Sequence, residues 1–334
     1  MTETPALAAF EPASLHAEPL SLPELHCPFA PAVNPEAEAL QARSIAWACT
    51  MGLCPTEGAA ARLDKAKIAW LVARAHPHAA RPVLQIAADW TVLFCMLDDH
   101  LERLPSPSAV AAVLADLGQI LCDGRALHDL AARPFDLATQ AFFRAGADLY
   151  TRLAGLAAPP FRARVASRMR VLFEAFVREA HGRQAGRPPG LERYLPMREV
   201  TVGIHVELAF GEIVEGIALS APARACVKQH GLDRRASNLI AWANDIYTVE
   251  KELAQGDPHN LVLVLAAEGR SLTFAAALAA RMHDEEARTF AALIASIERS
   301  ADPELRRYLA MLTRWVRGHL DWGRETGRYR ASRS

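Results

Sequence analysis

The sequence predicts an all-α protein, a single-domain bundle of long helices around a central apolar cavity. Three observations carry this. Apolar residues recur at steps of three and four along most of the chain. Helix formers dominate and β-branched runs are short. Pro and Gly fall mostly between the periodic segments. No Gly-x-Gly-x-x-Gly follows a strand-like run, strands do not alternate with helices, and no internal repeat is evident. With 334 residues, 51% of them hydrophobic, the chain is long enough to bury a large core.

Residues 1–35 are rich in Pro and Ala without a sustained period, which predicts an extended N-terminal arm. Residues 36–334 are expected to form one domain. Asn34-Pro35, with Glu36 and Glu38 following, is a helix start. Successive helices are expected over Glu36–Met51, Glu57–His76, Pro82–Arg103, Ser106–Cys122, Pro134–Ala157 and Pro159–Gly182. The series continues over Leu191–Val200, Ile204–Leu219, Ala221–Ala254, Leu272–His283, Glu285–Ser300 and Pro303–Thr326. Their boundaries are the breakers Pro77, Pro105, Gly124, Pro134, Pro159 and the Gly186–Gly190 stretch. Gly231 is a candidate to split the Ala221–Ala254 span, with Asp233 opening the next helix.

Charge and composition exclude several function classes. The formal net charge is −1, so neither a nucleic-acid surface nor a polybasic membrane anchor is expected. No uninterrupted apolar run is long enough to span a bilayer. The stretch Met1–Pro5 lacks the basic and apolar regions of a signal peptide. The six cysteines are scattered and unaccompanied by a His cluster, which predicts reduced thiols and a cytoplasmic protein.

Two stretches carry chemistry. In the first, Leu84, Ala88, Thr91, Cys95, Asp98 and Glu102 form one helical stripe that runs from apolar to acidic. Pro105 places these acids, with Asp99, in the last turn, where the helix dipole disfavours anions by roughly 0.3–1 kcal/mol each. A divalent cation is the partner this arrangement lacks; a solvated acidic helix end is the alternative. In the second, Asn244, Thr248 and Glu252 stack at i, i+4 and i+8. Amide, hydroxyl and carboxylate oxygens suit Mg²⁺ and are poor for Zn²⁺; an ordinary polar face with Glu–Lys pairs is the alternative. Small Ser237 and Ala241 lie upstream on the same stripe. Together the two oxygen sets could flank one apolar cavity. Because Mg²⁺ binds through a few carboxylates plus substrate phosphates, that pairing implies a substrate with a phosphate head and a hydrocarbon tail.

These residues match a known family. Asp98-Asp99-His100-Leu101-Glu102 resembles the DDxx(D/E) motif of class I terpene synthases. Asn244-Asp245-x-x-Thr248-x-x-Lys251-Glu252 resembles their second metal motif, and the Gly256–Asn260 segment resembles the stretch just downstream of that motif in bacterial members. Arg198 stands where the family carries its diphosphate-sensing arginine, beside a helix break at Thr201–Gly203. Trp322 and Arg328-Tyr329 resemble its terminal Arg-Tyr pair with an upstream tryptophan. The Cys27–Pro35 arm is also similar to bacterial members, so the resemblance covers nearly the whole chain.

The resemblance implies a class I terpenoid synthase-like bundle and three Mg²⁺ ions. Asp98 would bind two ions with help from Asp99 and Glu102; Asn244, Thr248 and Glu252 would bind the third. Arg198, Lys251, Arg328 and Tyr329 would hold the diphosphate, and a backbone carbonyl near the break, that of Val202 or a neighbour, would face the cation. Phe94 and Trp322 are the candidate aromatic walls, with plain core packing as the alternative for each. Thr248 replaces the commoner Ser, Glu102 an Asp, and Cys95 a second aromatic. The implied activity is cyclisation of farnesyl diphosphate to a sesquiterpene by a monomer or homodimer. The alternatives are geranyl or geranylgeranyl diphosphate as substrate, an isoprenyl chain-elongating transferase, and a non-catalytic helical isoprenoid-binding module. A transferase would be expected to carry a second aspartate-rich motif where this chain has Asn244–Glu252. His76-Pro77-His78 is expected to be a loop without metal. Glu207, Glu212 and Glu215, like the arginines of Arg162–Arg170, are expected to be surface helix charges, with burial of one of the three glutamates as the alternative.

Overall fold

The computed structural model describes residues 20–130, 135–184 and 186–329. Its elements are α1 (Ala37–Met51), α2 (Glu57–Ala66), α3 (Ile68–Ala75), α4 (Arg81–Leu101), α5 (Pro107–Asp123), α6 (Leu137–Leu156) and α7 (Pro159–Gln184). They continue as α8 (Leu191–Thr201), α9 (Ile204–Glu215), α10 (Ala221–Gln229), α11 (Leu232–Gln255), α12 (Leu261–Ala266), α13 (Leu272–Glu298) and α14 (Pro303–Glu325), with one 3₁₀ turn at Leu127–Leu130. No strand occurs among the described residues, so the all-α expectation holds. No helix among them is long and apolar enough to cross a membrane.

The middle of the bundle is α4, which packs on α1, α3, α6 and α9. Its apolar period is broad: Leu84, Ala88, Trp90, Val92, Leu93 and Leu97 are all buried. Trp90 stacks on Phe210 of α9 at 5.0 Å between ring centroids, a pair contributing about 0.5–1.5 kcal/mol beyond its buried area. Facing it across the bundle, α11 packs on α8, α9, α13 and α14. The chain before α1 is held to these elements: the His26 amide donates to Asp284 Oδ1 at 2.8 Å and the Asn34 amide to Ala73 O at 2.9 Å. Residues 1–19 of the expected arm, and Pro134 of the expected fifth helix, lie outside the described residues.

Several boundaries differ from expectation, each for a physical reason. The span Glu57–His76 is two helices, divided at Lys67 with φ +49°. The carbonyls at this break are used by the distant C-terminal segment. Gly327 N donates to Lys65 O at 2.7 Å, and Trp322 Nε1 and Thr326 Oγ1 donate to Ala66 O at 2.9 and 2.7 Å. Gly231, at φ +59°, does split the Ala221–Ala254 span. The two helices expected over Leu272–Ser300 are one, because His283 points into the core and neither Gly nor Pro interrupts the run. The short α12 was not expected; the Asn260 side chain caps it by accepting from Val262 N and Leu263 N.

The feature that positions the site is the α8–α9 break. Gly203 has φ +83°, a conformation costing an L-residue roughly 1–2 kcal/mol. A Cβ there would also collide with the Phe94 ring. Gly203 therefore satisfies both the turn and the close approach of α4.

Candidate active site

Four elements converge on one pocket. From α4 come Thr91, Phe94, Cys95 and Asp98, with Glu102 just beyond; from α11 come Asn244, Thr248, Lys251 and Glu252. The α8–α9 break supplies Arg198, Val202 and Glu207, and the C-terminal end supplies His319, Trp322, Arg328 and Tyr329. Every site residue predicted from the sequence lines this pocket except Asp99. That carboxylate is tied to it through Arg328 and through Lys251 Nζ at 3.8 Å.

The rim is polar. Arg328 pairs with Asp99 and reaches Asp98 Oδ2 at 3.4 Å, while its neighbour Tyr329 accepts from Asn244 Nδ2 at 2.6 Å. Adjacent residues of the C-terminal segment thus bridge the two oxygen-rich stripes. Arg198 spans a second junction: its guanidinium donates to Asn244 Oδ1 at 2.6 Å and to Asp245 Oδ1 at 2.8 Å. Thr248 Oγ1 donates to Asn244 O at 2.9 Å, which spends its proton and leaves an acceptor oxygen. Glu252 Oε2 accepts from Asn260 Nδ2 at 2.6 Å.

The electrostatics of the rim favour cations. Burial, then the nearby Asp99 and Glu179 charges, push Asp98 up to about 6 against the pull of Arg328. Burial and the Asp98 charge push Glu102 up to about 8; burial and Asp245 do the same to Glu252. Three enclosed carboxyls therefore have too little positive charge to ionise freely. Among the described residues, no three His, Cys, Asp or Glu side chains converge closely enough to hold an ion by themselves. Mg²⁺ keeps several waters and takes one or two carboxylates plus substrate phosphates rather than an all-protein cage. The hard-oxygen donor set fits that group.

The inner wall mixes the aromatic rings of Phe94, Trp315 and Trp322 with Leu71, Val202, Ile204 and Ile240. Phe94 lies stacked 5.9 Å from Phe176, and Trp322 meets Tyr329 edge-on at 5.1 Å. The Trp322 indole N–H is spent on Ala66 O, so its ring face and edge are what it offers the pocket.

Sequence reasoning missed several residues here. Asp245 is fully buried and accepts from Arg198, the Tyr194 hydroxyl and Leu261 N. Glu179 and Asp257 line the pocket and share Arg183, at 2.7 and 3.7 Å. The expectation of surface charge fails for all three glutamates of α9. Glu207 and Glu212 are buried, and Glu215 is largely so. Glu212 accepts from Arg164 and Arg224 at 2.7 and 2.6 Å, and Glu215 from Arg314 at 2.6 Å. The partly buried Arg164 is correspondingly not a plain solvated charge. His76 is likewise buried, with Nδ1 2.8 Å from Glu215. The only local signal for Glu207 was its position one turn past the Gly203 break.

Glu207 makes no ion pair among the described residues; both its carboxyl oxygens lie 3.2 Å from Thr91 Oγ1. Burial pushes it up to about 8. A native carboxyl above its unfolded value holds its proton where the unfolded chain has lost it. Its contribution to stability is complete below about pH 4.5 and is lost as pH rises through about 8. In Glu207→Gln this titration is gone. The melting temperature of the variant relative to wild type is expected to climb between pH 5 and 8, reflecting up to about 1.4 kcal/mol per pH unit. Parallel melting curves across that range would place Glu207 in an ionised state instead.

Comparison with known proteins agrees with this geometry. A family model described as terpene synthase family 2, C-terminal metal binding, matches residues 89–289. A (+)-T-muurolol synthase of Roseiflexus castenholzii, described as cyclising (2E,6E)-farnesyl diphosphate, is 30% identical over 90% of this chain and 92% of its own. A bonnadiene synthase of Allokutzneria albata is 32% identical over 93% of this chain and 87% of its own. In fold, the chain is similar to a linalool/nerolidol synthase from Streptomyces clavuligerus solved with 2-fluorogeranyl diphosphate. That match has a TM-score of 0.77 at 24% identity, over 92% of this chain and 100% of that one. With its family match covering more than half of the sequence and its rim already rich in metal-suited oxygens, the chain belongs to the terpene synthase family.

Proposed function

We propose that this protein is a Mg²⁺-dependent cyclase that ionises farnesyl diphosphate and closes the carbocation to a sesquiterpene, releasing diphosphate. One observation supports this above the others: two oxygen-donor stripes and two arginines ring a single pocket whose inner wall carries aliphatic side chains and the rings of Phe94, Trp315 and Trp322. Asp98, Asp99 and Glu102 would hold two of three ions, and Asn244, Thr248 and Glu252 the third. Bound there, the ions would neutralise the charge that grows on the departing diphosphate.

The protein's own groups do the rest. Arg198, Lys251, Arg328 and Tyr329 are fixed donors placed to hold the diphosphate oxygens, and preorganised donors of this kind are worth about 10²–10³-fold each. To meet the diphosphate, Arg328 exchanges its bonds to Asp98 and Asp99, and Arg198 its bond to Asn244. The helix break falls just after α8, and the carbonyl of Val202, its C-cap residue, is the one we assign to the cation. Phe94 and Trp322 offer ring faces to positive charge while supplying no nucleophile. We read residues 36–334 as one catalytic domain, with 1–35 as its arm. The six free cysteines support a cytoplasmic setting.

Incubation with geranyl, farnesyl and geranylgeranyl diphosphate plus Mg²⁺, with mass spectrometry of the volatiles, tests this reading. A cyclic C15 product is expected from farnesyl diphosphate. No Mg²⁺-dependent diphosphate release from any of the three would overturn it. Phe94→Ala is expected to move products toward acyclic or early-quenched species, by removing about 0.5–2 kcal/mol of cation stabilisation. An unchanged profile would strike Phe94 from the cation-facing set.

A further inference from the structure

Ionisation and diphosphate binding give Glu207 no task, yet it lines the pocket. Its contact, Thr91, is seven residues before Asp98 on α4, roughly 10 Å deeper along the helix axis. Glu207 therefore faces the hydrocarbon and not the diphosphate. Thr91 Oγ1 already donates to Ala87 O at 2.9 Å. A hydroxyl has one proton, so Thr91 can satisfy Ala87 O or one Glu207 oxygen at 3.2 Å but not both, and it offers the carboxyl no dedicated donor. Among the described residues no cationic side chain forms an ion pair with that carboxyl. Cys95 nearby is a thiol, pushed by burial up to about 12, and His319 across the pocket is neutral, pushed by burial down to about 3. Arg198 is committed to the buried Asp245 and Arg328 to the rim carboxylate Asp98.

We propose that Glu207 is a carboxylic acid that protonates a neutral cyclic olefin inside the closed pocket and so restarts the cation cascade. This rests on the terpene cyclase reading. The steps balance without a further reagent. The first cyclic cation loses a carbon-bound proton to the released diphosphate and becomes an olefin. The Glu207 O–H bond then breaks as a new C–H bond forms at one olefinic carbon, leaving a cation and a carboxylate. That carboxylate takes a proton from a carbon beside the final cationic centre, which restores the acid and yields the product olefin. A carboxyl held neutral by an apolar setting is suited to this because it can both give and take a proton at nearly constant net charge.

Turnover of farnesyl diphosphate in D₂O with Mg²⁺ tests the proposal. The acid regenerated from substrate hydrogen exchanges with solvent when the pocket opens, so each wild-type product molecule is expected to carry one deuterium on carbon. Glu207→Gln is expected to release the unprotonated, unlabelled olefin, with the labelled product falling by about 10²-fold or more while diphosphate release continues. Glu207→Asp, which withdraws the donor by one methylene, is expected to give an intermediate mixture and serves if the amide variant folds poorly. Diphosphate release with an unlabelled wild-type product would overturn the role of Glu207 and leave the cyclase reading intact. A wild-type level of label in either variant would do the same. Absence of diphosphate release from wild type would overturn both.

Discussion

Alanine at Glu252 or at Asn244 is expected to cut diphosphate release by roughly 10²–10³-fold or more, while the far-ultraviolet CD spectrum stays helical. The effect should be large because each side chain does two things at once. Glu252 is one of the three oxygen donors on the α11 stripe, and its carboxylate also anchors Asn260 Nδ2. Asn244 is the shared end of two chains of contact, accepting from Arg198 at 2.6 Å and donating to Tyr329 at 2.6 Å. Losing it loosens a diphosphate-binding arginine and the C-terminal tyrosine together. The fold should tolerate Glu252→Ala, because Asn260 keeps its bond to Asp245 O at 2.7 Å and continues to cap α12. Activity, its Mg²⁺ dependence and CD measured on one preparation separate the outcomes. Wild-type turnover in Glu252→Ala would remove the α11 stripe from the metal assignment.

What could be read in the sequence was what repeats with a helical period. Asn244, Thr248 and Glu252 share a face by spacing alone, as do Thr91, Cys95, Asp98 and Glu102, and all of them line the pocket. What could not be read was set by residues far away in the chain. Lys67 breaks a helix because Trp322, Thr326 and Gly327 claim the carbonyls beside it, and no pattern within residues 57–76 encodes that demand. Glu207, Glu212 and Glu215 look alike in sequence, as acids on one short helix. They separate only once α4 brings Thr91 to the first, α7 brings Arg164 to the second and α14 brings Arg314 to the third. Asp245 went without a role for a related reason. One step round the helix from Asn244, it turns away from the pocket and into the packing of α8 and α12.

That position of Asp245 makes Arg198 both a site residue and a structural counter-ion, and the two can be separated. Arg198→Ala leaves Asp245 completely buried, with only the Tyr194 hydroxyl and the Leu261 amide to stabilise its charge. Breaking one side of a buried pair costs about 3–5 kcal/mol. At about 2–4 °C per kcal/mol for a chain of more than 150 residues, melting should fall by about 10 °C. Activity should fall with it, by roughly 10²–10³-fold. Asp245→Asn in the same chain removes the orphaned charge while keeping an acceptor for Tyr194 and Leu261. The double variant is therefore expected to regain much of the melting temperature, which gives a non-additive cycle in stability. It should regain none of the activity, because the guanidinium that would meet the diphosphate is still missing. Recovery of turnover together with stability would show that Arg198 acts only through Asp245, as a brace for the α8–α11 junction.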